Sequence, residues 1–153
     1  MTPERALLID HYRGGAAELR AALASATDEE LDRPAPDGGW TARQVAHHVA
    51  ESEATAYVRL RRLVAEESPV IVGYDEELFA HRNHYERPIA SALAVVEAVR
   101  ASSLELLEAL TDEEWQRSGS HSESGRYTID DWLRIYASHP RDHARQIRTA
   151  IGR

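Results

Sequence analysis

Two histidines that lie four residues apart, His139 and His143, are the residues whose spacing first indicates chemistry. A helix turns once in about 3.6 residues, so residues i and i+4 lie on the same face, one above the other. Two imidazoles arranged in this way can converge on one metal ion. The spacing alone is weak evidence, because chance gives about 0.4 such pairs for 8 histidines in 153 residues.

The predicted position of this pair in its helix strengthens the metal hypothesis. Both histidines belong to the stripe expected to face a core, namely Trp132, Ile135, Tyr136, His139, His143, Ile147 and Ile151. A buried imidazole needs a partner for each ring nitrogen, and a metal ion with an outer hydrogen-bond acceptor provides both. The alternative is a pair of core histidines bonded to backbone or water, which for this pair alone carries slightly more weight. Pro140 removes an N–H that would bond the Tyr136 carbonyl, which predicts a kink there.

A third imidazole is expected from the dipeptide His47-His48 in an earlier helix. Only His48 shares the inward stripe, which comprises Val45, His48, Val49, Ser52, Ala56, Leu60 and Leu63. His47 is turned about 100° away and is predicted to be a partly exposed flank. Three protein ligands with one open position are typical of a catalytic metal site. An all-imidazole set suits zinc, nickel, iron or copper and suits magnesium or calcium poorly.

Other polar residues near these positions are weaker candidates. Glu51 follows His48 by three residues and is a candidate base or hydrogen-bond acceptor, although a solvated glutamate is the commoner arrangement. His81, His84 and His121 fall in predicted connections. His121 could line the mouth of the site, but a position on a surface loop is the simpler expectation.

Four long helices are needed to position these side chains. The first begins at Thr2-Pro3-Glu4 and runs to about Ser25, and the second opens at Thr41, whose capping box with Gln44 satisfies backbone N–H groups. The third begins near Pro88, with an apolar stripe of Ile89, Leu93, Val96, Val99, Leu106 and Leu110, and the fourth follows Thr128.

The connections between these helices also carry information. Residues 67–87 form a long connection, with a short helix predicted from Tyr74 to His81, which allows the second and third helices to run parallel. Residues 118–127 are polar and glycine-rich, so a hairpin or an ordered loop is expected. The sequence therefore predicts an all-α four-helix bundle forming a single domain, residues 1–153.

Composition excludes several classes of protein. There are 18 arginines, no lysines and 26 acidic residues, and the net charge of −8 is unlike that of a nucleic-acid-binding domain. No apolar run is long enough to span a membrane, and the amino-terminal residues lack the pattern of a signal peptide, so a cytoplasmic protein is expected. The absence of cysteine excludes disulfides, thiolate metal ligands and a cysteine nucleophile.

A longer pattern resembles a known family. It comprises Asp37-Gly38-Gly39-Trp40-Thr41, Arg43-Gln44-Val45, His47-His48, Tyr57, Arg59, Glu67, Pro69, Tyr74-Asp75-Glu76, Tyr136-Ala137, His139 and His143. From about Asp37 to Ile151 the chain resembles the DinB superfamily, and within it the YfiT-type proteins, described as metal-dependent hydrolases and as bacillithiol transferases. The resemblance implies an up-down-down-up bundle, one zinc or nickel ion on His48, His139 and His143, and a homodimer. Pro140 departs from the pattern of similar sequences.

The sequence leads to four functional hypotheses. The first is a metal enzyme that activates a low-molecular-weight thiol for transfer to a small metabolite, with Glu51 as the candidate catalytic residue. The second is hydrolysis of an amide or ester by the same site. The third is a metal-binding stress-response module without catalysis, and the fourth is a metal-free bundle.

Overall fold

The computed structural model describes residues 1–153 and contains four long helices. These are α1 (Pro3–Leu23), α3 (Ala42–Ala65), α5 (Ala90–Ala109) and α6 (Ile129–Ile151), joined by short helices α2 (Asp28–Leu31) and α4 (Glu76–Arg82). A 3-10 turn covers Glu114–Gln116, and three short strands complete the fold: β1 (Val70–Ile71), β2 (Ser118–His121) and β3 (Gly125–Thr128). No helix combines the length and apolar character required to cross a bilayer.

Local sequence signals explain where the two helices that carry the histidines begin. The Thr41 side chain accepts the Gln44 backbone N–H, and the Gln44 side chain returns to the Thr41 backbone, as predicted. Thr128 and Asp131 make the same reciprocal pair at the start of α6. Each such cap contributes about 1 kcal/mol to helix stability. It defines the first residue of its helix, and so the helical positions of the histidines that follow.

The outer helices α1 and α6 run parallel. Arg5 forms two hydrogen bonds with Asp130, each 2.7 Å long, which join the amino-terminal ends of the two helices. At the opposite ends, Arg153 donates to the carbonyl of Ala24. These contacts join the starts of α1 and α6 to each other and the ends of the two helices to each other.

Helix α3 runs antiparallel to α6 and parallel to α5. The Trp132 indole, early in α6, donates to the carbonyl of Ala56, late in α3. His47, early in α3, contacts the Arg87 carbonyl just before α5, and Arg61 donates to Ser102 towards the ends of both helices. The order is therefore up-down-down-up, which confirms the predicted topology and the parallel crossover.

A small sheet covers one side of the bundle; it contains the hairpin expected at residues 118–127 and one strand, β1, that was not predicted. Strand β2 pairs antiparallel with β3 as a hairpin and parallel with β1, which belongs to the crossover. The strands approach closely at Gly119, where a Cβ atom would lie 2.2 Å from the Pro69 carbonyl oxygen. The sheet thus ties the crossover to the start of α6.

The core consists of two apolar clusters separated by a polar layer. One cluster lies around Leu19, Val49 and Ile147, and the other lies around Tyr12, Leu60 and Trp132. Between them along the helices are buried polar residues that the sequence pattern does not reveal as a group, namely Ser52, Glu53, Arg100 and Ser103. The predicted histidines lie at this level of the bundle.

Some predicted facings are wrong. Ile135, placed on the inward stripe of α6, is 49% exposed. Of the α5 stripe only Val96 is buried, because the buried face of that helix comprises Ala92, Val96, Arg100, Ser103 and Leu107. Pro140 lies within α6, which is helical from Ile129 to Ile151, and the kink expected there stays a prediction.

Candidate metal centre

Three histidines from two helices converge at the polar layer. His48 lies on α3, and His139 and His143 lie on α6, and one ring nitrogen from each lies within 4.8 Å of the others. The ring centroids are 4.6 Å apart for the α6 pair, and His48 is 4.8 Å from His143 and 5.7 Å from His139. The structure therefore brings together the three residues that the sequence predicts as ligands.

Hydrogen bonds orient both rings of the α6 pair. The Nδ1 of His139 lies 3.1 Å from Oε1 of Glu53, and the Nδ1 of His143 lies 2.8 Å from Oε1 of Gln146. A carboxylate or amide oxygen accepts, so each ring donates from Nδ1, and the neutral form of such a ring has its lone pair on Nε2. This arrangement, with one nitrogen bonded outwards and the other free, is typical of metal-binding histidines.

Burial keeps two of the rings neutral. It lowers the pKa of His48 to about 3, with further lowering from His143 and His139. Burial also lowers the pKa of His143 to about 4, again with a contribution from His139. Because only a neutral imidazole has a lone pair to give to a metal, these two rings are prepared to bind one near neutral pH.

The residues present fit a divalent metal ion. The Nδ1 of His48 is buried and has no hydrogen-bond partner. An unsatisfied buried polar atom costs about 1–3 kcal/mol, a cost that a ligand to this ring can offset. Three imidazoles without a fourth protein ligand match the donor set of catalytic zinc sites, and imidazole also suits nickel, iron and copper.

Glu51 lies away from the three histidines. Its carboxylate is 3.8 Å from the Arg87 guanidinium and lines a groove of about 490 Å³ between α3 and the start of α5. The carboxylate that contacts a histidine of the cluster is that of Glu53. Its signal in the sequence is a position four residues after Val49 and three before Ala56, both members of the predicted inward stripe, to which Glu53 itself was not assigned.

His47 is buried, which corrects the prediction of a partly exposed flank. Its Nε2 lies 2.9 Å from the Arg87 carbonyl, and its ring stacks on Tyr85 at 5.6 Å. Burial lowers its pKa. The segment before α5 covers this side of α3, so His47, the first histidine of the dipeptide, supports the fold, while His48 faces α6.

A cleft of about 180 Å³ leads from the surface to His139. It is lined by Ser52, Arg59, Gly73, Tyr74, Glu76, His121, Glu123, Ile135, Tyr136 and His139. The crossover and the hairpin thus form its walls, and His121 lies at the mouth, where the sequence favoured a simple surface position. Ile135 also borders the cleft, which explains why its side chain is exposed.

Two hydrogen-bond donors face this cleft. Arg59 donates to the Tyr136 hydroxyl at 3.1 Å and to the Val72 carbonyl at 2.8 Å, which places its charge in the wall. The Tyr74 hydroxyl is buried beside Ser52, and burial raises the pKa of Tyr74 to about 12, so the hydroxyl is neutral and able to donate near neutral pH. On the other side of the cluster, the Trp40 indole packs on His48 at 4.9 Å.

Comparisons with known proteins find similarity along most of the chain. The family model of the DinB superfamily matches residues 11–147. A protein of Oceanobacillus iheyensis named "Putative metal-dependent hydrolase" is 38% identical over 129 residues, covering 84% of this chain and 75% of its own. The YfiT protein of Bacillus subtilis, with the same descriptive name, is 33% identical over 133 residues, covering 86% and 75%.

A solved structure shows the same similarity. YfiT from Bacillus subtilis, described as "a probable metal-dependent hydrolase with an unusual four-helix bundle topology", superposes with a TM-score of 0.90 at 30% identity. The match covers 98% of this chain and 87% of that chain.

Proposed function

The chain belongs to the DinB superfamily, and from this premise we propose that it is a divalent-metal-dependent enzyme of the YfiT type. Its substrate is a small metabolite, and its reaction is transfer of a low-molecular-weight thiol, as in a bacillithiol-type S-transferase, or hydrolysis. The observation that carries the proposal is the convergence of His48, His139 and His143, whose ligand nitrogens lie within 4.8 Å of one another.

Zinc or nickel is the metal that we propose for this site, because both accept three imidazoles. A divalent ion held by His48, His139 and His143 would lower the pKa of a water or thiol that it binds and so provide a nucleophile near neutral pH. The absence of cysteine means that a thiol nucleophile must come from a cosubstrate.

Residues of the chain supply orientation and charge around this site. Glu53 and Gln146 hold the rings of His139 and His143 through their Nδ1 atoms. Arg59 and Tyr74 present donors to the cleft, where they can stabilise negative charge that develops on a substrate oxygen. With Glu53 and not Glu51 beside the histidines, we assign no catalytic role to Glu51.

The cleft volume of about 180 Å³ supports a small substrate or the reactive end of a larger one. We propose further that the enzyme acts in the cytoplasm, and that it forms a homodimer, as the family resemblance implies. Light scattering of the purified protein at micromolar concentration tests the dimer.

The test of this function combines metal analysis with an activity screen. Protein purified without a histidine tag is expected to contain one zinc or nickel ion per chain, and His143→Ala is expected to lose both metal and turnover. The matched control is His11→Ala, which removes an exposed histidine of α1. Wild-type activity in His143→Ala, or a wild-type protein that binds no metal, overturns the proposal.

The same screen separates the reaction classes. Bacillithiol, mycothiol or glutathione is offered with an electrophile, in parallel with ester and amide substrates. Turnover that requires the thiol identifies a transferase, and turnover without it identifies a hydrolase. Metal binding with neither reaction supports the non-catalytic metal-binding module.

A further inference from the structure

A buried arginine of α5, a helix that contributes no metal ligand, contacts the carboxylate that orients His139. Arg100 of α5 and Glu53 of α3 are 3% and 1% exposed, and Nη1 of Arg100 donates to Oε1 of Glu53 at 2.9 Å. The same carboxylate oxygen lies 3.1 Å from Nδ1 of His139. One oxygen atom therefore joins the arginine to a metal ligand across the polar layer.

A carbonyl freed by proline fixes the other side of this arginine. Nη1 of Arg100 also donates to the Tyr136 carbonyl at 3.0 Å. In an unbroken helix that carbonyl would accept the N–H of residue 140, but Pro140 has none. Pro140 thus leaves an acceptor open within α6, one turn before the site, and Arg100 uses it.

The amino-terminal helix completes the enclosure of Arg100. Nη2 donates to the Tyr12 carbonyl, and the guanidinium lies 3.7 Å from the centroid of the Tyr12 ring. A Cβ atom on Gly15 would lie 2.8 Å from Nη2, so the glycine admits the guanidinium between α1 and α6. Contacts with all three neighbouring helices leave the guanidinium little freedom to move.

Glu53 depends on Arg100 for both charge and orientation. A buried carboxylate without a cationic partner is strongly destabilising, and Oε2 of Glu53 has no hydrogen-bond partner of its own. Glu53 is therefore held through Oε1 alone, by Arg100 and His139. Removing Arg100 removes the donor that keeps this oxygen directed at the histidine.

We propose that Arg100 is a positioning residue of the metal centre, holding Glu53 so that it accepts the Nδ1–H of His139 and leaves Nε2 free for the metal. This inference rests on the proposed function, because it treats His139 as a metal ligand. The tautomer of His139 can nevertheless be measured in metal-free protein. A purely structural role predicts that loss of Arg100 lowers stability and leaves this tautomer unchanged.

The test measures the His139 tautomer in metal-free protein by long-range ¹H–¹⁵N NMR. Wild type is expected to show Nδ1–H with an unprotonated Nε2. Arg100→Met is expected to lose that preference, and Arg100→Lys is expected to keep it because lysine is also a cationic donor. Arg61→Met is the control, because Arg61 joins α3 to α5 at Ser102 without touching a histidine. A wild-type tautomer in Arg100→Met overturns the inference.

A second pair of variants keeps the test decisive if Arg100→Met does not fold. Glu53→Gln retains the acceptor oxygen without its charge, and Glu53→Gln with Arg100→Met removes the arginine without leaving a carboxylate unpaired. The single variant is expected to keep the Nδ1–H tautomer and the double variant to lose it. An unchanged tautomer in the double variant overturns the inference.

Metal affinity provides the readout that links the arginine to function. Zinc titration is expected to show binding weakened about 10–100-fold in Arg100→Met and unchanged in Arg61→Met. Equal affinity in wild type and Arg100→Met overturns the inference. A wild-type protein that binds neither zinc nor nickel refutes the proposed function, whereas the tautomer of His139 in metal-free protein decides the role of Arg100.

Discussion

Gln146 lies one turn after His143 on the surface of α6, and its Oε1 is 2.8 Å from the Nδ1 of that histidine. The pair is local, because residues three apart on a helix are neighbours. An exposed amide thus orients a metal ligand from outside, while the buried Glu53 orients His139 from within.

Replacing Gln146 with alanine is expected to weaken zinc binding by less than the loss of Arg100 does, about 3–10-fold, because water can replace an exposed acceptor. Isothermal titration with zinc measures the change. Thr149→Ala, an exposed change one turn later, is the control and should leave affinity unaltered. An affinity equal to wild type in Gln146→Ala would show that the bond does not orient the ring.

Metal removal is expected to lower thermal stability. A ligand at 100 times its dissociation constant stabilises the folded state by about 2.7 kcal/mol, which is roughly 5–10 °C for a chain of this size. Chelation should therefore reduce the Tm of wild type by that amount and leave His48→Ala unaffected. Calorimetry with and without chelator measures it, and a chelator-sensitive Tm in His48→Ala would contradict the assignment of that ligand.

The Arg5–Asp130 pair predicts how stability depends on pH. Hydrogen bonding to Arg5 lowers the pKa of Asp130, so the pair stabilises the folded state above the unfolded pKa of about 4. This contribution is lost as pH falls through the lower folded-state pKa. Because both side chains are partly exposed, its size is about 0.5–1 kcal/mol.

Asp130→Asn should accordingly be less stable than wild type at pH 7, and the difference should shrink below pH 4. Urea unfolding at pH 7 and pH 3 measures the difference in free energy of unfolding between wild type and Asp130→Asn at each pH. Asp10→Asn, which removes an exposed carboxylate paired only with Arg13, serves as the control and should change stability little. A difference for Asp130→Asn that stays constant with pH would show that the ion pair is not its cause.

Gly119→Ala is expected to disturb the walls of the cleft. The new Cβ would lie 2.2 Å from the Pro69 carbonyl oxygen, so β1 and β2 must separate. Overpacking of this kind costs about 1–3 kcal/mol, and hydrogen exchange at residues 70–76 should accelerate. Ser120→Ala, next to it on the exposed side of β2, is the control. Wild-type exchange in Gly119→Ala would mean that the sheet tolerates the methyl group.

The sequence predicted the helices and the facing of the three histidines because both are local properties. Thr41 and Thr128 fix the starts of α3 and α6 through their own neighbours within three residues. The 3.6-residue period then determines which residues share a face, and this was enough to select His48, His139 and His143. The length of the connection at residues 67–87 allowed α3 and α5 to run parallel, and the family resemblance implied that topology.

Partners across helices were decided only by the tertiary structure. Glu51 and Glu53 are both glutamates within five residues of His48, and local sequence treats them alike. Which carboxylate meets His139 depends on the register between α3 and α6, and whether His47 is covered depends on the path of the chain before α5.

The burial of Arg100 was also decided only by the tertiary structure, because a charged arginine ordinarily indicates a solvated position. It is buried because Glu53, the Tyr136 carbonyl released by Pro140 and the space at Gly15 come from three other helices. Helical periodicity gives the angle of a side chain about its own axis. The distances between axes, which set electrostatic partners and metal geometry, arise only when the helices pack.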